Sequence, residues 1–511
     1  MEFNQPLMRS GSGVHSIIGF LLAIIKVLSA SLTEHKILVE QLRKENLELM
    51  VRLNKVNRVF APKNEKSKED EEGDRATIKK KKRGGQKGHK PTKRNIPKDL
   101  KQEEVILDFD KTPCCLFCNK AYKPRTTFDK ISHQVQIALA AVHEIITRRS
   151  YEKGCSCPGS PKFITAPQRD NVVKKSILTT ASWVNLIIMK YFLSVPVYRY
   201  AQVLKSMGYQ LSPGTAENGF KKIGLLLEPV YQTLIIELRK SPLWNADESR
   251  WKVFETKENK KGFLWWLWVF ASKNIVIYVI DPTRSASVID RMNQGLFRII
   301  AADRFSSYEA IKNKGDVLIA YCWVHLRRDF INLQSQKIFK SNPDIGKWVD
   351  DWLAQIKLLF KLNNQRLKTT SSEKFAKLTA ELRVVVDELR CQNEGDLEYK
   401  FQKTILKSFK KRFSGYTIFI DQPEVPMHNN RAEQLLKLPI SGRNNYLGNV
   451  SSKSVNHTQI FLSIISTAKI NGVAPQTWLS DYLEACASNN SKALEGEMLK
   501  KYVKKLLNSP S

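Results

Sequence analysis

Three acidic side chains lie in sequence contexts that could bring them to one site. Asp247 lies in LWNADESRW, Asp303 ends the apolar run FRIIAAD, and Glu433 lies in HNNRAEQLLK. Carboxylates inside buried segments are costly unless a cation or hydrogen bonds compensate them. Carboxylate oxygens suit Mg²⁺, which keeps further positions for water and phosphate oxygens. The pattern therefore predicts two catalytic Mg²⁺ ions that act on a phosphodiester.

The elements around these acids predict an α/β catalytic core. Three strand-like runs follow residue 241, and a helix-like run and two further strand-like runs come after them. This order is typical of a ribonuclease-H-like mixed sheet, in which an Asp on the first strand lies beside an Asp that ends the fourth. A later helix, beyond a helical insertion, would add Glu433. Glu248 should point to the opposite face of its strand.

Each acid taken singly has a plainer interpretation. Asp247 could cap a turn, Asp303 could cap the following helix, and Glu433 could be a surface charge on a helix. The catalytic interpretation rests on all three acids occurring together in a strongly basic chain. Asp421 is the fallback third ligand, and is otherwise a loop acid.

The composition predicts a polyanionic partner. The chain has 511 residues and a formal net charge of +33, which favours double-stranded DNA over an anionic membrane. Residues 14–30 are apolar, but Lys26 interrupts them and the run is short for a membrane span. We therefore expect a soluble, cytoplasmic protein, associated with the nucleoid when bound to DNA.

Residues 1–60 predict an N-terminal coiled-coil dimerisation helix. The heptad core positions between residues 18 and 56 are Ile18, Leu21, Ile25, Leu28, Leu32, His35, Val39, Leu42, Asn46, Leu49, Leu53 and Val56. Asn at such a position commonly fixes a parallel dimer in register. The alternative is one amphipathic helix packed on its own domain. The heptad favours a homodimer or higher oligomer.

Residues 61–100 predict a charged linker followed by a basic arm. The stretch KKKKRGGQKGHKPTKR (79–94) contains no acid. Such an arm follows phosphates or a minor groove, although a solvated tether is an equal alternative. The predicted DNA contacts are Lys79, Lys80, Lys81, Lys82, Arg83, Lys87 and Lys90.

Residues 101–170 predict a small zinc-binding module. Four of its five cysteines fall in two pairs, Cys115 with Cys118 and Cys155 with Cys157. Four thiolates at such spacing suit one tetrahedral, structural Zn²⁺. Cys114 could replace one ligand, and the alternative is a set of buried or free cysteines.

The remaining chain divides into five predicted segments. These are a helical domain (171–240), the first part of the catalytic core (241–335), a helical insertion (336–412), the second part of the core (413–445) and a C-terminal helical region with a basic tail (446–511). The first of them weakly resembles a helix-turn-helix, and an ordinary helical bundle is equally consistent with it.

The sequence resembles the DDE-class insertion-sequence transposases of the IS66 family over nearly its whole length. The resemblance rests on several motifs in the same order, among them RGGQKGHK, ADES, ADRFSSY, CWVHLRRDF, HNNRAEQLLK, SGRNNYLG and IISTAKINGVAPQTWL. It implies a ribonuclease-H-like catalytic domain, cleavage at element ends, strand transfer and accessory element-encoded proteins. It carries the catalytic acids onto Asp247, Asp303 and Glu433.

Two motifs also contain candidate DNA contacts. In CWVHLRRDF, we interpret Cys322 as a buried thiol and expect His325, Arg327 and Arg328 near the DNA backbone. Arg443 of SGRNNYLG is a further predicted phosphate contact.

The sequence departs from the family pattern at His428, Ser249 and Asn444, where the family usually has Asp, Thr and Lys. Its second cysteine pair is also closer than the usual C-x-x-C. Because of these departures, a degenerate, inactive copy of the enzyme stays an alternative. The leading hypothesis is an active DDE transposase, and the alternative is a non-catalytic DNA-binding regulator derived from one. A structural dimeric scaffold gives no reason for the carboxylates.

Overall fold

The computed structural model describes residues 170–255, 263–312, 316–334 and 343–507. It also describes a short antiparallel pair, β1 (Ser150–Glu152) and β2 (Phe163–Thr165), and isolated helical residues between positions 26 and 45. The heptad core positions, the basic arm and the paired cysteines lie outside the described residues, so their roles stay predictions. No helix in the described ranges is long and apolar enough to cross a membrane.

The described residues contain five further strands and fourteen α-helices. The strands are β3 (Leu243–Lys252), β4 (Leu264–Ala271), β5 (Val276–Asp281), β6 (Arg298–Ala302) and β7 (Val317–Tyr321). The helices are α1 (Thr180–Ile187), α2 (Val197–Ser206), α3 (Pro213–Arg239), α4 (Ala286–Asn293), α5 (Ser306–Lys312), α6 (Trp323–Gln334), α7 (Pro343–Lys368), α8 (Ser372–Cys391), α9 (Lys400–Lys411), α10 (Phe413–Asp421), α11 (Asn430–Tyr446), α12 (Ser452–Ile470), α13 (Pro475–Ser488) and α14 (Gly496–Leu507).

The five strands form one mixed sheet in the order β5-β4-β3-β6-β7. β3, β4 and β5 pair antiparallel, whereas β6 runs parallel to β3 and β7 runs parallel to β6. The parallel pairing of β3 with β6 requires a crossover, and α4 lies within it. The predicted mixed sheet is therefore confirmed. Its first strand, β3, pairs with its fourth strand, β6. This pairing is what the prediction that Asp247 lies beside Asp303 requires.

Helix α3 packs against the sheet and contributes to the hydrophobic core. Its side chains Leu227, Val230 and Leu234 are fully buried, and the Tyr231 hydroxyl donates to the Tyr278 carbonyl oxygen of β5 at 2.9 Å. The weak helix-turn-helix pattern therefore fits only α2 and the first turns of α3, because the rest of α3 cannot enter a DNA groove.

The outer edge of β5 is capped by side chains of α12. The backbone N–H groups of Val276 and Tyr278 donate to Thr467 Oγ1 (3.1 Å) and Ser463 Oγ (2.8 Å). The N–H of Ile280 donates to the side chain of Gln459, one turn earlier. Four residues of helix advance about 6 Å and two residues of strand about 6.6 Å, so the two spacings match. This contact satisfies donors that a free edge strand would leave unpaired.

Helices α7 to α10 separate the first part of the core from α11. The buried Arg366 of α7 donates to the carbonyl oxygens of Ile420 (2.9 Å) and Phe419 (2.6 Å) near the end of α10. These bonds satisfy carbonyls that the last turn of a helix leaves free. They fix the chain shortly before it enters α11, which carries Glu433.

Candidate active site

Strand β3 presents two neighbouring carboxylates to opposite faces of the sheet. Glu248 is fully buried and accepts hydrogen bonds from Arg284 Nε (2.8 Å) and from the Tyr308 hydroxyl (2.9 Å). On the other face, Asn245 and Ser249 contact residues of the α11 region. Because side chains alternate along a strand, Asp247 shares this second face with them.

Asp247 is largely enclosed by protein and has little hydrogen bonding. Its Oδ1 accepts one bond, from the backbone N–H of Glu248 at 2.8 Å. Burial, followed by the charges of Glu248, Asp303 and Glu433, raises the pKa of Asp247 to about 8. The three predicted acids therefore interact electrostatically, and the protonated form of Asp247 is favoured in the absence of a cation.

Asp303 lies directly after the last residue of β6 and turns the chain toward α5. Its Oδ1 accepts the backbone N–H of Phe305 at 2.9 Å, an Asx-turn contact. The charge of Asp303 also raises the pKa of Glu248, after burial. The local turn thus holds Asp303 at the carboxyl end of the parallel strand, where ligands of open α/β sheets commonly bind.

Glu433 lies in the first turn of α11, beside a histidine of α6. The Nε2 atom of His325 lies 3.5 Å from Glu433 Oε1. Burial, followed by the charge of Arg328, lowers the pKa of His325. Its Nδ1 is buried and has no hydrogen-bond partner among the described residues. The third acid is therefore held toward a mostly neutral imidazole.

A buried asparagine joins the elements that carry the acids. Asn429 Nδ2 donates to the Ala246 carbonyl oxygen at 2.7 Å, and its Oδ1 accepts from Asn245 Nδ2 at 3.2 Å. Its backbone N–H donates to Cys322 Sγ at 3.3 Å, at the start of α6. Asn429 thus fixes the N-terminus of α11 against the backbone beside Asp247 and against the helix of His325.

Sequence reasoning missed Asn429 and the pairing of His325 with Glu433. Asn is a preferred residue at a helix N-terminus, so the HNNR run could have indicated the start of α11. Its side chain makes no cap bond there, however, because it turns to β3 instead.

The other predicted site residues have different environments. Arg327 and Arg328 are partly exposed on α6, and Cys322 is a buried free thiol whose pKa burial raises to about 11. Arg443 Nη1 donates to Ser249 Oγ at 3.2 Å and to the Arg250 carbonyl oxygen, so part of its guanidinium is used on β3.

In this structure, the carboxylates of Asp247, Asp303 and Glu433 are not close enough together to bind one metal ion. Among the residues that the structure describes, no three or more His, Cys, Asp or Glu side chains are grouped closely enough to hold a metal ion. The donor set of Asp247, Asp303 and Glu433 nevertheless suits a hard divalent cation, since all its ligand atoms are carboxylate oxygens. Their repulsion, seen in the pKa of Asp247, is what such a cation relieves.

Comparison with solved structures gives two distant matches. One is the Mos1 mariner paired end complex with Mn, at 13% identity over 39% of this chain and 70% of that chain, with a TM-score of 0.13. The other is the Mos1 strand transfer complex, at 15% identity over 37% of this chain and 74% of that chain, with a TM-score of 0.12. Likenesses this low add nothing to the topology described above.

Sequence comparison is more informative. The uncharacterized protein y4jD of Sinorhizobium fredii is 22% identical over 81% of this chain and 83% of its own length. The uncharacterized protein y4hP of the same organism is 20% identical over 78% of this chain and 75% of its own length. The family model for the transposase IS66 family matches residues 175–456, more than half of the chain and all of the candidate site. The chain belongs to the IS66 family of transposases.

Proposed function

We propose that this transposase binds the ends of its insertion sequence and catalyses Mg²⁺-dependent DNA cleavage and strand transfer. Asp247, Asp303 and Glu433 are the proposed metal ligands. The observation that supports this most directly is that the charges of Asp303 and Glu433, together with that of Glu248, act on the largely enclosed Asp247 and raise its pKa. A largely enclosed carboxylate that accepts one hydrogen bond within the described residues and is destabilised by three neighbouring acids serves no evident structural purpose.

The three proposed metal ligands would be held by separate rigid elements of the fold. Asp247 and Asp303 extend from adjacent strands, and Glu433 approaches from a helix that Asn429 ties to the same sheet. When bound, two divalent cations would stabilise charge on the attacking and leaving oxygens of phosphoryl transfer. The neutral His325 would orient the Glu433 carboxylate, and Arg327, Arg328 and the free part of Arg443 would contact DNA phosphates.

The test compares two aspartates with the same local geometry. Asp303 directly follows the last residue of β6, and Asp281 is the last residue of β5. Each accepts the backbone N–H two residues later (2.9 Å and 2.8 Å). We expect Asp303→Ala to abolish strand transfer in Mg²⁺ on DNA that carries the element's ends. We expect Asp281→Ala, which loses the ion pair with Arg291, to retain strand transfer at reduced stability.

DNA binding separates catalysis from recognition. A gel shift should show nearly wild-type binding by Asp303→Ala, with steep salt dependence in both proteins. Strand transfer at the wild-type rate by Asp303→Ala would contradict the catalytic assignment. If the wild-type chain binds the ends but never cuts them, the non-catalytic regulator is the better description.

The proposal extends to the N-terminal segments. Cys115, Cys118, Cys155 and Cys157 would hold one structural Zn²⁺, residues 79–94 would follow DNA phosphates, and the heptad would form a homodimer or higher oligomer in the cytoplasm. Near-zero zinc in reduced, folded protein would refute the metal site. Identical monomeric sedimentation of the wild type and of a Leu42→Glu, Leu49→Glu variant would refute the coiled coil.

A further inference from the structure

An ion pair lies directly beside one of the three candidate acids. Arg304 follows Asp303 in the loop between β6 and α5, and its Nη2 donates to Asp329 Oδ2 of α6. The side chains of Arg304 and Asp329 are 22% and 43% exposed. The Cys322 N–H, just before α6, donates to the Ala302 carbonyl oxygen at 3.1 Å, so α6 begins beside this loop. The function proposed above uses neither member of the pair.

Helix α6 carries Asp329 on the side that faces the acids. Asp329 follows His325 by four residues, so the two side chains lie on one face of the helix, one turn apart. His325 Nε2 lies 3.5 Å from Glu433 Oε1. One face of α6 therefore contacts Glu433 at one turn and Arg304 at the next.

The Arg304 guanidinium lies within the electrostatic field of Asp303 but pairs with Asp329. Burial opposes the charged form of Arg304, yet nearby groups that include Asp329 and Asp303 outweigh burial and raise its pKa. Asp303 Oδ1 accepts the Phe305 N–H, and among the described residues its Oδ2 accepts no hydrogen bond. Asp303 thus keeps a carboxylate oxygen available, although a cationic side chain follows it directly.

A free guanidinium beside Asp303 would compete with a divalent cation. Arginine binds carboxylates through parallel N–H donors, and it would use the same oxygens that a metal ion needs. An alternative carboxylate for Arg304 removes this competition. Stability gives no sufficient reason for the pair, because ion pairs between exposed groups contribute little to it.

We propose that Asp329 is a positioning residue that holds Arg304 away from Asp303 and so leaves the Asp303 carboxylate open to a divalent cation. Asp329 acts through Arg304 and does not itself bind the metal. This inference rests on the proposed function, because it takes Asp303 as a metal ligand.

The test uses two single variants and their combination. Asp329→Asn keeps the shape of the side chain and releases Arg304, whereas Arg304→Gln removes the competing cation. The double variant has neither charge. The matched control is Asp281→Asn, which releases Arg291 from an equivalent pair (Nη2 to Oδ2, 2.5 Å), because Arg291 is adjacent in sequence to none of the proposed ligands. Thermal melting checks that all four proteins are folded.

The first readout is Mn²⁺ binding, which electron paramagnetic resonance measures from the signal of the free ion. Mn²⁺ suits the same carboxylate ligands as Mg²⁺. The sites that Asp303→Ala loses are those of the proposed metal centre. At these sites we expect Asp329→Asn to bind Mn²⁺ about 5-fold more weakly than the wild type, the scale of one exposed ion pair. Arg304→Gln should bind at least as tightly as the wild type, and the double variant should match Arg304→Gln.

The second readout is strand transfer at increasing Mg²⁺. The Mg²⁺ concentration for half-maximal rate should rise about 5-fold in Asp329→Asn, while the rate at saturating Mg²⁺ stays near that of the wild type, since excess metal displaces the guanidinium. Arg304→Gln in the same chain should restore the wild-type requirement. A merely structural pair would not give this rescue.

Three outcomes overturn the proposal. Equal losses in both single variants would make the pair structural. A double variant that binds Mn²⁺ more weakly than Arg304→Gln would show that the charge of Asp329 acts on the metal directly. Unchanged binding in Asp329→Asn would show that Arg304 does not compete. If Asp303→Ala binds Mn²⁺ as the wild type does, the metal assignment itself fails, whereas loss of binding in Asp303→Ala alone refutes only the role of Asp329.

Discussion

Each face of β3 carries an enclosed carboxylate, and the two carboxylates differ in the groups that compensate their charge. On one face, Glu248 is bonded by the guanidinium of Arg284, which lies 4.6 Å from the Trp266 ring centroid, and by the Tyr308 hydroxyl. On the other face, Asp247 accepts one backbone N–H within the described part of the chain, and its electrostatic neighbours are acids.

The comparison indicates which carboxylate is structural. A buried acid with its donors in place costs little and holds its neighbours together, whereas an underbonded one is destabilising unless a ligand completes it. Neighbouring positions on one strand thus separate the two roles, because alternation directs one side chain to α5 and the other to α11.

Removal of each charge should therefore have opposite consequences, and this is the largest effect we expect. Asp247→Asn should lower strand transfer by about 10³-fold or more, because it removes a proposed metal ligand, while it leaves the fold intact or more stable. Glu248→Gln should lower the free energy of unfolding by about 2 kcal/mol, because Arg284 loses its charged partner. Strand-transfer kinetics and urea unfolding check both. A stable but inactive Glu248→Gln protein would contradict the division of roles.

The pH dependence of stability should differ between wild type and Asp247→Asn. The pKa of Asp247 is about 8 in the folded chain and near its ordinary value in the unfolded chain, so between these values only the unfolded state has lost the proton. Wild-type stability should therefore fall relative to the variant as pH rises toward 8, by up to about 1.4 kcal/mol per pH unit, and level off above 8.

Unfolding curves of both proteins between about pH 6 and pH 9 measure this difference. Mg²⁺ should reduce it at high pH, because a bound cation stabilises the ionised carboxylate. A stability difference that does not change with pH would show that Asp247 is ionised without a cation.

Two buried asparagines extend the comparison along β3. Asn429 bonds the backbone beside Asp247, whereas Asn449 bonds Trp251 near the other end of the strand. Alanine at either position removes a bonded, buried amide and should cost about 1–3 kcal/mol of stability. Only Asn429→Ala should also lower strand transfer per folded molecule, by about 10- to 100-fold, since it releases the helix of Glu433.

Single-turnover strand transfer at several Mg²⁺ concentrations, normalised to the folded fraction, is the measurement. A structural role alone would not change the Mg²⁺ requirement. An equal loss of activity in Asn449→Ala would show that general loosening of the fold is responsible.

The strand order was predictable from sequence because the strands are local, apolar and well separated. The runs of β4 and β5 are nearly continuous in apolar residues, as buried strands are, and their order along the chain indicates the mixed sheet. Periodicity could not show that α3 belongs to the core, since a core helix and a DNA-binding helix have the same repeat.

The supporting polar contacts were not predictable for another reason. Asn429 and Ala246 are 183 residues apart, and Ser463 and Tyr278 are 185 apart. Each of these hydrogen bonds depends on how α11 or α12 packs against the folded sheet. A single Asn or Ser in a sequence is equally consistent with several local roles, such as a cap or a turn. The three acids could be predicted because their sequence contexts point to one site, whereas each supporting contact involves one residue of ordinary type.

The smallest effect is expected at Asp421, the fallback third ligand. Its carboxylate is 62% exposed and ion-paired with the exposed Arg383, an arrangement that usually contributes at most about 1 kcal/mol. Asp421→Asn should therefore leave strand transfer, its Mg²⁺ dependence and the unfolding midpoint unchanged, whereas Glu433→Gln should abolish transfer. The reverse result, with an active Glu433→Gln protein and an inactive Asp421→Asn protein, would move the third ligand to the end of α10. It would also mean that the contact between Glu433 and His325 is structural, like that of Glu248 with Arg284.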